Sequence, residues 1–381
     1  MKVKYFLIML LYAVLIYSCK KESNNGSSSQ IDEVDIYTAG YEFNGSVSVA
    51  TYWKNGIATR LSDGTHASEA RSIVVSGNNV YVAGVENNNA VYWKNGTLVN
   101  LINNPATYYR LSWADGIAVS GDDVYVAGTV NGFFPGTNSL GLVAKYWKNG
   151  VPVNLTSEYF GSQTSSITVS GNDIYLTGSA WEPYPLDSIG VPCSRIRCQH
   201  YEEATYWKNG APIYVTDGTI TQAHATGIAV SGTDIYVCGD IIYDATTTLG
   251  GQAAYWKNGS WVKLAYSGTD AVRVSGIAVS GNDVYVSGTG YVNGGFSKAL
   301  YWKNGVAIPL QGIGEQVSGT ATAIAVNGSD VYVAGNLFYL STPALPLPRV
   351  AVKCWKNNNM TAVPIDSTKL PIVKSIFVVK K

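Results

Sequence analysis

Tyr92-Trp93-Lys94-Asn95-Gly96 decides the fold, because the same five residues return along the whole chain. They stand at Tyr52–Gly56, Tyr146–Gly150, Tyr206–Gly210, Tyr255–Gly259 and Tyr301–Gly305, with a degenerate copy at Cys354-Trp355-Lys356-Asn357-Asn358. Successive tryptophans lie 40, 54, 60, 49, 46 and 53 residues apart. A fixed motif at that period marks a repeat architecture with one supersecondary unit per copy.

Two further motifs share the period. Ile-Ala-Val-Ser-Gly occurs at Ile117–Gly121, Ile228–Gly232 and Ile277–Gly281, with variants from Ile73, Ile167 and Ile324. Val-Tyr-Val-Ala-Gly occurs at Val80–Gly84, Val124–Gly128 and Val331–Gly335, with variants from Ile36, Ile174, Ile235 and Val284. A Gly/Asn/Asp turn separates the two, which predicts a β-hairpin. Each unit is therefore expected to hold four strands. Strand A is the Ile-Ala-Val-Ser run and strand B the Val-Tyr-Val-Ala-Gly run. Strand C ends in Tyr-Trp-Lys, and Asn-Gly turns the chain into a short strand D. Strands B and C alternate and carry large residues on both faces, as sheets sandwiched between neighbours require.

Strand B and the Trp-Lys motif each occur seven times, and the seventh strand A is Ser375–Val379 at the C-terminal end. The repeat begins with B and ends with A, so the last strand is expected to complete the first unit and close a ring. The expected fold is all-β, a seven-bladed β-propeller over residues 32–381 with four antiparallel strands per blade. The stretch Gly-Ile-Ala-Val…Asn-Asp-Val-Tyr-Val-Ala-Gly resembles the NHL repeat. Ala-x-Tyr-Trp-Lys-Asn-Gly running to the next isoleucine resembles the extracellular HAF repeat. Both resemblances imply a propeller outside the cytoplasm, and neither carries over a catalytic residue.

The N-terminus reads as a targeting segment. Lys2 and Lys4 precede an apolar run from Tyr5 to Tyr17, shorter than the roughly 20 residues of a membrane span. Ile16-Tyr17-Ser18-Cys19 resembles a bacterial lipobox, which implies a signal peptide over residues 1–18 and lipidation at Cys19. Residues 19–31 are polar and Ser/Asn/Gly-rich, as expected of a flexible tether. The resemblance implies a protein of the bacterial cell envelope, lipid-anchored to the outer membrane and open to surface exposure; an ordinary secretory signal with an incidental cysteine is the other reading. Cys193 and Cys198 are a disulfide candidate in one irregular loop. Cys238 and Cys354 replace small or aromatic strand residues and read as buried hydrophobes.

Lys+Arg and Asp+Glu are equal at 26 each, which leaves no basic footprint for nucleic acid. The repeated tryptophans read as core. The repeated lysines and the aspartates preceding strand B fall on one end of each unit and should neutralise one another.

Function is sought where the repeat is broken. The B–C loops enlarge at Thr129–Leu142, Ser179–Tyr201 and Asn336–Arg349. These loops and the D–A connection before the third unit carry Tyr108, Tyr109, Trp113, Phe133, Phe134, Trp181, Tyr184, Phe338 and Tyr339, aromatics suited to anchoring a partner. A second candidate is a polar ring at the channel mouth, formed by Glu69, Arg71, Asp115, His224, Arg273 and Lys374. Only three histidines are present, and no metal-ligand spacing, phosphate loop or nucleophile elbow. The expected role is a monomeric binding or scaffold module for a glycan, peptide or protein partner, with no metal and no cofactor. The alternative is a propeller hydrolase or lyase working at the channel mouth. The sequence leans away from catalysis without deciding it.

Overall fold

Asn-Gly closes the C–D hairpin of nearly every unit, and its backbone explains why. Asn304 and Gly305 have φ of 50° and 86°. Two successive positive φ values define the type I′ turn that matches strand twist, and Asn and Gly tolerate them. The Asn304 side chain does more. Its Oδ1 accepts from Val284 N at 2.8 Å, and its Nδ2 donates to Asp283 Oδ1 at 2.8 Å. Lys303 Nζ lies 2.7 Å from the other oxygen of Asp283 and 5.3 Å from the centroid of the Tyr285 ring. The same knot recurs with Asp35, Asp123, Asp173, Asp234 and Asp330. The lysine partner holds each of these carboxyls below the usual range. Asn304→Ala would remove two hydrogen bonds and place a Cβ residue without a local partner at positive φ. An equilibrium urea titration should show about 2 kcal/mol lost. Lys303→Met should leave the urea midpoint close to wild type, because its ion pair is solvated.

The computed structural model describes residues 34–102, 109–133, 140–155, 161–181, 202–216, 222–242, 251–267, 269, 271–292, 295–314, 317–340, 349–361 and 364–381, with backbone alone at 109, 110, 132, 133, 140, 181 and 242. It is all-β apart from one 3-10 turn at Ser367–Lys369 among the described residues. One unit consists of β4 (Ser68–Ser76), β5 (Asn79–Glu86), β6 (Asn89–Lys94) and β7 (Thr97–Asn100), hydrogen-bonded in that order. Five sheets have four antiparallel strands, and a sixth has eight. The eight-stranded sheet arises where Glu202 and Gln222 form a single parallel bridge between two neighbouring units. β28 (Ile372–Lys380) pairs with β1 (Val34–Phe43), so a C-terminal A strand joins N-terminal B, C and D strands in one sheet. This arrangement is consistent with a propeller.

The tryptophans of the repeated motif are buried, from 0% to 3% exposed. They sit in apolar clusters that each join successive units. One cluster sets Trp302 against Tyr236, Cys238 and Tyr255 of the preceding unit. Another sets Tyr332, Val352 and Cys354 against Val373 and Ile376 of β28. Cys238 and Cys354 are fully buried free thiols, and burial pushes both up to about 12. Polar ties cross the same seams. Ser68, Ser112 and Ser162 each accept from the backbone amide of Ala50, Ala90 and Ala144 in the unit before.

The inner strands hold the main departure from a regular hairpin. They are β4, β8 (Tyr109–Ser120), β12 (Ser162–Ser170), β16 (Gln222–Ser231), β20 (Ala271–Ser280), β24 (Val317–Asn327) and β28. Each carries a one-residue bulge at the same place. Ala70 pairs with Gly84 and Ser72 with Ala83, so Arg71 has no partner. The unpaired residues of the other six are Asp115, Ser165, Thr226, Ser275, Thr322 and Lys374. A bulge re-aims its side chain and bends its strand. Strand B makes room with its terminal glycine. A Cβ on Gly40, Gly84, Gly128, Gly178, Gly239, Gly288 or Gly335 would overlap a carbonyl oxygen of the paired inner strand.

Candidate functional site

The seven bulged residues face a common recess. It has a volume of about 180 Å³ and is lined from all seven inner strands. Arg71, Asp115 and Lys374 supply its charges, and Ser165, Thr226, Ser275 and Thr322 supply hydroxyls. The next residue on each strand is small. Gly227 leaves no room for a Cβ without crowding, with Cys238 Sγ 3.1 Å and Gly276 Cα 3.3 Å from where it would stand. At Ser72 and Ser375 the hydroxyl oxygen ties adjacent strands together. Ser72 Oγ accepts from Ile117 N and Ser375 Oγ from Ile73 N, both at 3.3 Å.

Three of the six polar residues expected at the channel mouth line this recess, namely Arg71, Asp115 and Lys374. Glu69, His224 and Arg273 sit further toward the start of their strands and outside the lining. Glu69 Oε2 lies 3.5 Å from Arg71 Nε, and Arg71 Nη1 donates to Asp115 Oδ1 at 3.0 Å. Thr164 Oγ1 donates to Asp115 Oδ2 at 3.0 Å. His224 Nε2 lies 3.3 Å from Glu202 Oε2, and Gln163 Nε2 reaches His224 Nδ1 at 3.4 Å. Gln163 and Thr164 are neighbours on β12. They join these contacts into one polar band across the rim. Glu202 also accepts from Ser179 Oγ at 2.7 Å.

Burial pushes the Asp115 carboxyl up to about 7 despite Arg71 and Thr164. Burial likewise raises Asp240 to about 6, against the opposing Val274 N–H bond and the Arg273 charge. Asp240 lies on β17 (Asp234–Ile242), directly opposite His224. A folded pKa above the unfolded 3.8 means that the fold favours the protonated acid. The stabilisation is full below pH 3.8 and is lost as pH rises through about 6. Asp240→Asn keeps the Oδ1 acceptor for Val274 and removes the titration. Thermal unfolding from pH 4 to 7 should show wild type falling relative to the variant, by up to about 2 kcal/mol.

The aromatics assigned to loops need correction. Trp113 lies inside β8, partly buried, with the Arg71 guanidinium 5.9 Å from its ring centroid. Tyr109 begins β8, Phe133 ends β9 (Asp123–Phe133) and Trp181 ends β13 (Asp173–Trp181). The apparent insertions partly lengthen strands, because extended backbone satisfies its polar groups in the ladder. The carboxylates Glu202 and Glu203 open β14 (Glu202–Lys208) and are buried. Phe338 and Tyr339 end β25 (Asp330–Tyr339) and are 37% and 38% exposed. Phe43 and Tyr291, which the sequence did not single out, are 40% and 41% exposed at equivalent strand ends. Cys19, Tyr108, Phe134, Tyr184, Cys193 and Cys198 lie outside the described residues. Among the described residues no group of three His, Cys, Asp or Glu side chains is placed to hold a metal.

No protein-family model matches the chain, and no curated protein matches it. Solved structures do. A puromycin-hydrolysing peptidase of Mycobacterium tuberculosis aligns at a TM-score of 0.54 and 12% identity, over 87% of this chain and 52% of that one. A prolyl endopeptidase aligns at 0.43 and 11% identity, over 88% of this chain and 51% of that one. An exo-1,5-α-L-arabinanase from a bovine ruminal metagenomic library aligns at 0.34 and 12% identity, over 65% of this chain and 98% of that one. The chain spans about half the length of the two peptidases. At 12% identity the likeness to the puromycin-hydrolysing peptidase shows a propeller-like all-β fold and nothing of activity.

Proposed function

We propose that the chain forms a closed seven-bladed β-propeller that serves as a glycan-binding module. It would be held at the cell envelope by a lipid on Cys19. The observation that carries the reading is the recess, to which seven separate strands each turn one side chain. Arg71 bulges next to the Ala70–Gly84 pair, toward the B–C end of its hairpin, and the exposed Phe43, Tyr291, Phe338 and Tyr339 stand at that same end. Polar groups at the bottom and aromatic faces around the rim suit a hydroxyl-rich ligand with apolar ring faces. The pairing of β28 with β1 and the apolar seam between the last and first units support closure. The resemblance to NHL and HAF repeats supports the same architecture. A glycan-array screen of the full-length protein in detergent tests the reading. Retention of a defined glycan class supports it, and a blank array removes it.

A second reading is hydrolase or lyase chemistry at the same mouth. Asp115 favours it, since it lines the recess and its carboxyl, raised by burial to about 7, can donate a proton near neutral pH. Loss of turnover on glycan substrates in Asp115→Asn would support it. Absence of turnover in wild type would remove it.

A further inference from the structure

We infer that the axial recess is a carboxylate-binding site, taking the acid group of a small hydroxyl-bearing ligand such as a sugar acid. This rests on the glycan-binding reading and names the chemistry that reading leaves open.

The hydrogen-bond polarity of the lining carries the inference. On one side stand Lys374, Ser375 and Ser72. The two serine oxygens already accept from the Ile73 and Ile117 amides, so their hydroxyl protons remain to be donated. Lys374 is exposed, and among the described residues no carboxylate lies within ion-pair distance of its ammonium. Its recorded neighbour is the Tyr41 ring, 5.9 Å to the centroid, which attracts the cation and accepts no ordinary hydrogen bond. This side supplies hydroxyl donors and an ammonium that has no acid partner among the described residues.

The other side is the reverse. Thr226 donates to Cys238 O at 3.3 Å, Ser275 to Ala321 O at 2.7 Å and Thr322 to Ala334 O at 3.2 Å. Their protons are committed and their lone pairs remain. They are acceptors, suited to hydroxyl groups that donate. A ligand with a carboxylate at one end and hydroxyls at the other satisfies both sides.

Two alternatives fit less well. A metal cation would need Asp115, but that carboxylate already accepts from Arg71 and Thr164. An apolar ligand would strip water from these donors and acceptors without replacing its hydrogen bonds. The size sets the scale of the ligand. At about 180 Å³ the recess is smaller than the usual ligand pocket of about 300–1,000 Å³. It takes one small unit or the end of a longer chain.

The test is isothermal titration of the full-length protein in detergent with D-glucuronate, D-glucose and propionate. Glucuronate should bind, glucose should bind at least tenfold more weakly for want of the charge, and propionate should do so for want of the hydroxyls. Lys374→Gln should weaken glucuronate at least tenfold and leave glucose unchanged. Thr322→Val, which preserves shape and removes an acceptor, should weaken glucuronate and leave propionate unchanged. Far-ultraviolet circular dichroism checks that both variants fold, as exposed Lys374 should permit. Equal binding of glucose and glucuronate, full binding by Lys374→Gln, or no glucuronate binding at millimolar concentration would each overturn the inference. If the array detects neutral glycans while glucuronate fails, the glycan-binding reading stands and this inference alone falls.

Discussion

Gly288→Ala is expected to lower stability by about 3 kcal/mol, at the upper end of ordinary overpacking costs. The added methyl would overlap the Arg273 carbonyl oxygen and come within 2.8 Å of Trp302 Cζ3. Both obstacles are fixed. The carbonyl belongs to the ladder of β20, and the indole fills a closed seam between units. The inner strand would have to give up its bulge, which would swing Ser275 out of the recess. Gly251→Ala is the matched control, since its new methyl would meet only Ile241 O at 3.7 Å. That change should fall within about 0.5 kcal/mol of wild type. Urea midpoints at constant m-value measure both. If Gly288→Ala unfolds with the wild-type midpoint, the coupling between the glycine and the bulge is wrong.

Trp302→Ala should cost about 4 kcal/mol, within the range for deleting a buried aromatic. Trp302 is fully buried, and its Nε1 donates to Ala265 O at 2.9 Å. Its removal opens a cavity against Cys238, Val272 and Val286 and leaves a carbonyl without its donor. Trp261 offers the contrast within the same chain. It is 52% exposed on an outer strand, and Trp261→Ala should change stability by about 0.5 kcal/mol or less. A denaturant titration in which the two substitutions cost the same would contradict the assignment of the repeated tryptophans to the seams.

The strands, their turns and the burial of the repeated tryptophans were legible because each is a local pattern repeated at one period. Asn-Gly requires positive φ at both positions, and alternation in Val-Tyr-Val-Ala-Gly requires a strand with two buried faces. The bulges were not legible. Their signal was present in the seven strand-B glycines, but a small residue at a strand end also fits a turn or a close approach of backbones. Only the register shows that Ala70 and Ser72 oppose consecutive residues of strand B and that Arg71 is extra. Strict alternation carried through that point groups Glu69 with Arg71 and His224 with Thr226. The bulge separates them, which is why Glu69, His224 and Arg273 fall outside the recess. Trp113 reads as loop in the sequence because its neighbours break the Ile-Ala-Val-Ser pattern, yet β8 extends through it. No enlarged loop in the sequence points to Phe43 or Tyr291.

The bulges also connect fold to function. A regular inner strand would send alternate side chains into the seams on either side. The extra residue at the shared bulge instead gives each unit one side chain for the recess. That residue is free of the packing demands that hold Trp, Tyr and Ile at their positions. The lining can therefore mix Arg71, Asp115 and Lys374 with hydroxyls while the seams stay apolar. The opposite end of six units is closed chemically by a Lys–Asp–Asn knot with paired charges, and in the remaining unit Asn79 takes the place of the aspartate.

Glycan retention by three forms of the full-length protein tests the central claim most directly. Wild type, Thr322→Tyr and Lys257→Gln would be applied to the same array. Thr322→Tyr fills the recess, whereas Lys257→Gln alters a knot at the opposite end. Binding by wild type and Lys257→Gln, with loss in a folded Thr322→Tyr, is the expected result. Undiminished binding by Thr322→Tyr, or loss confined to Lys257→Gln, would contradict the assignment of recognition to the recess.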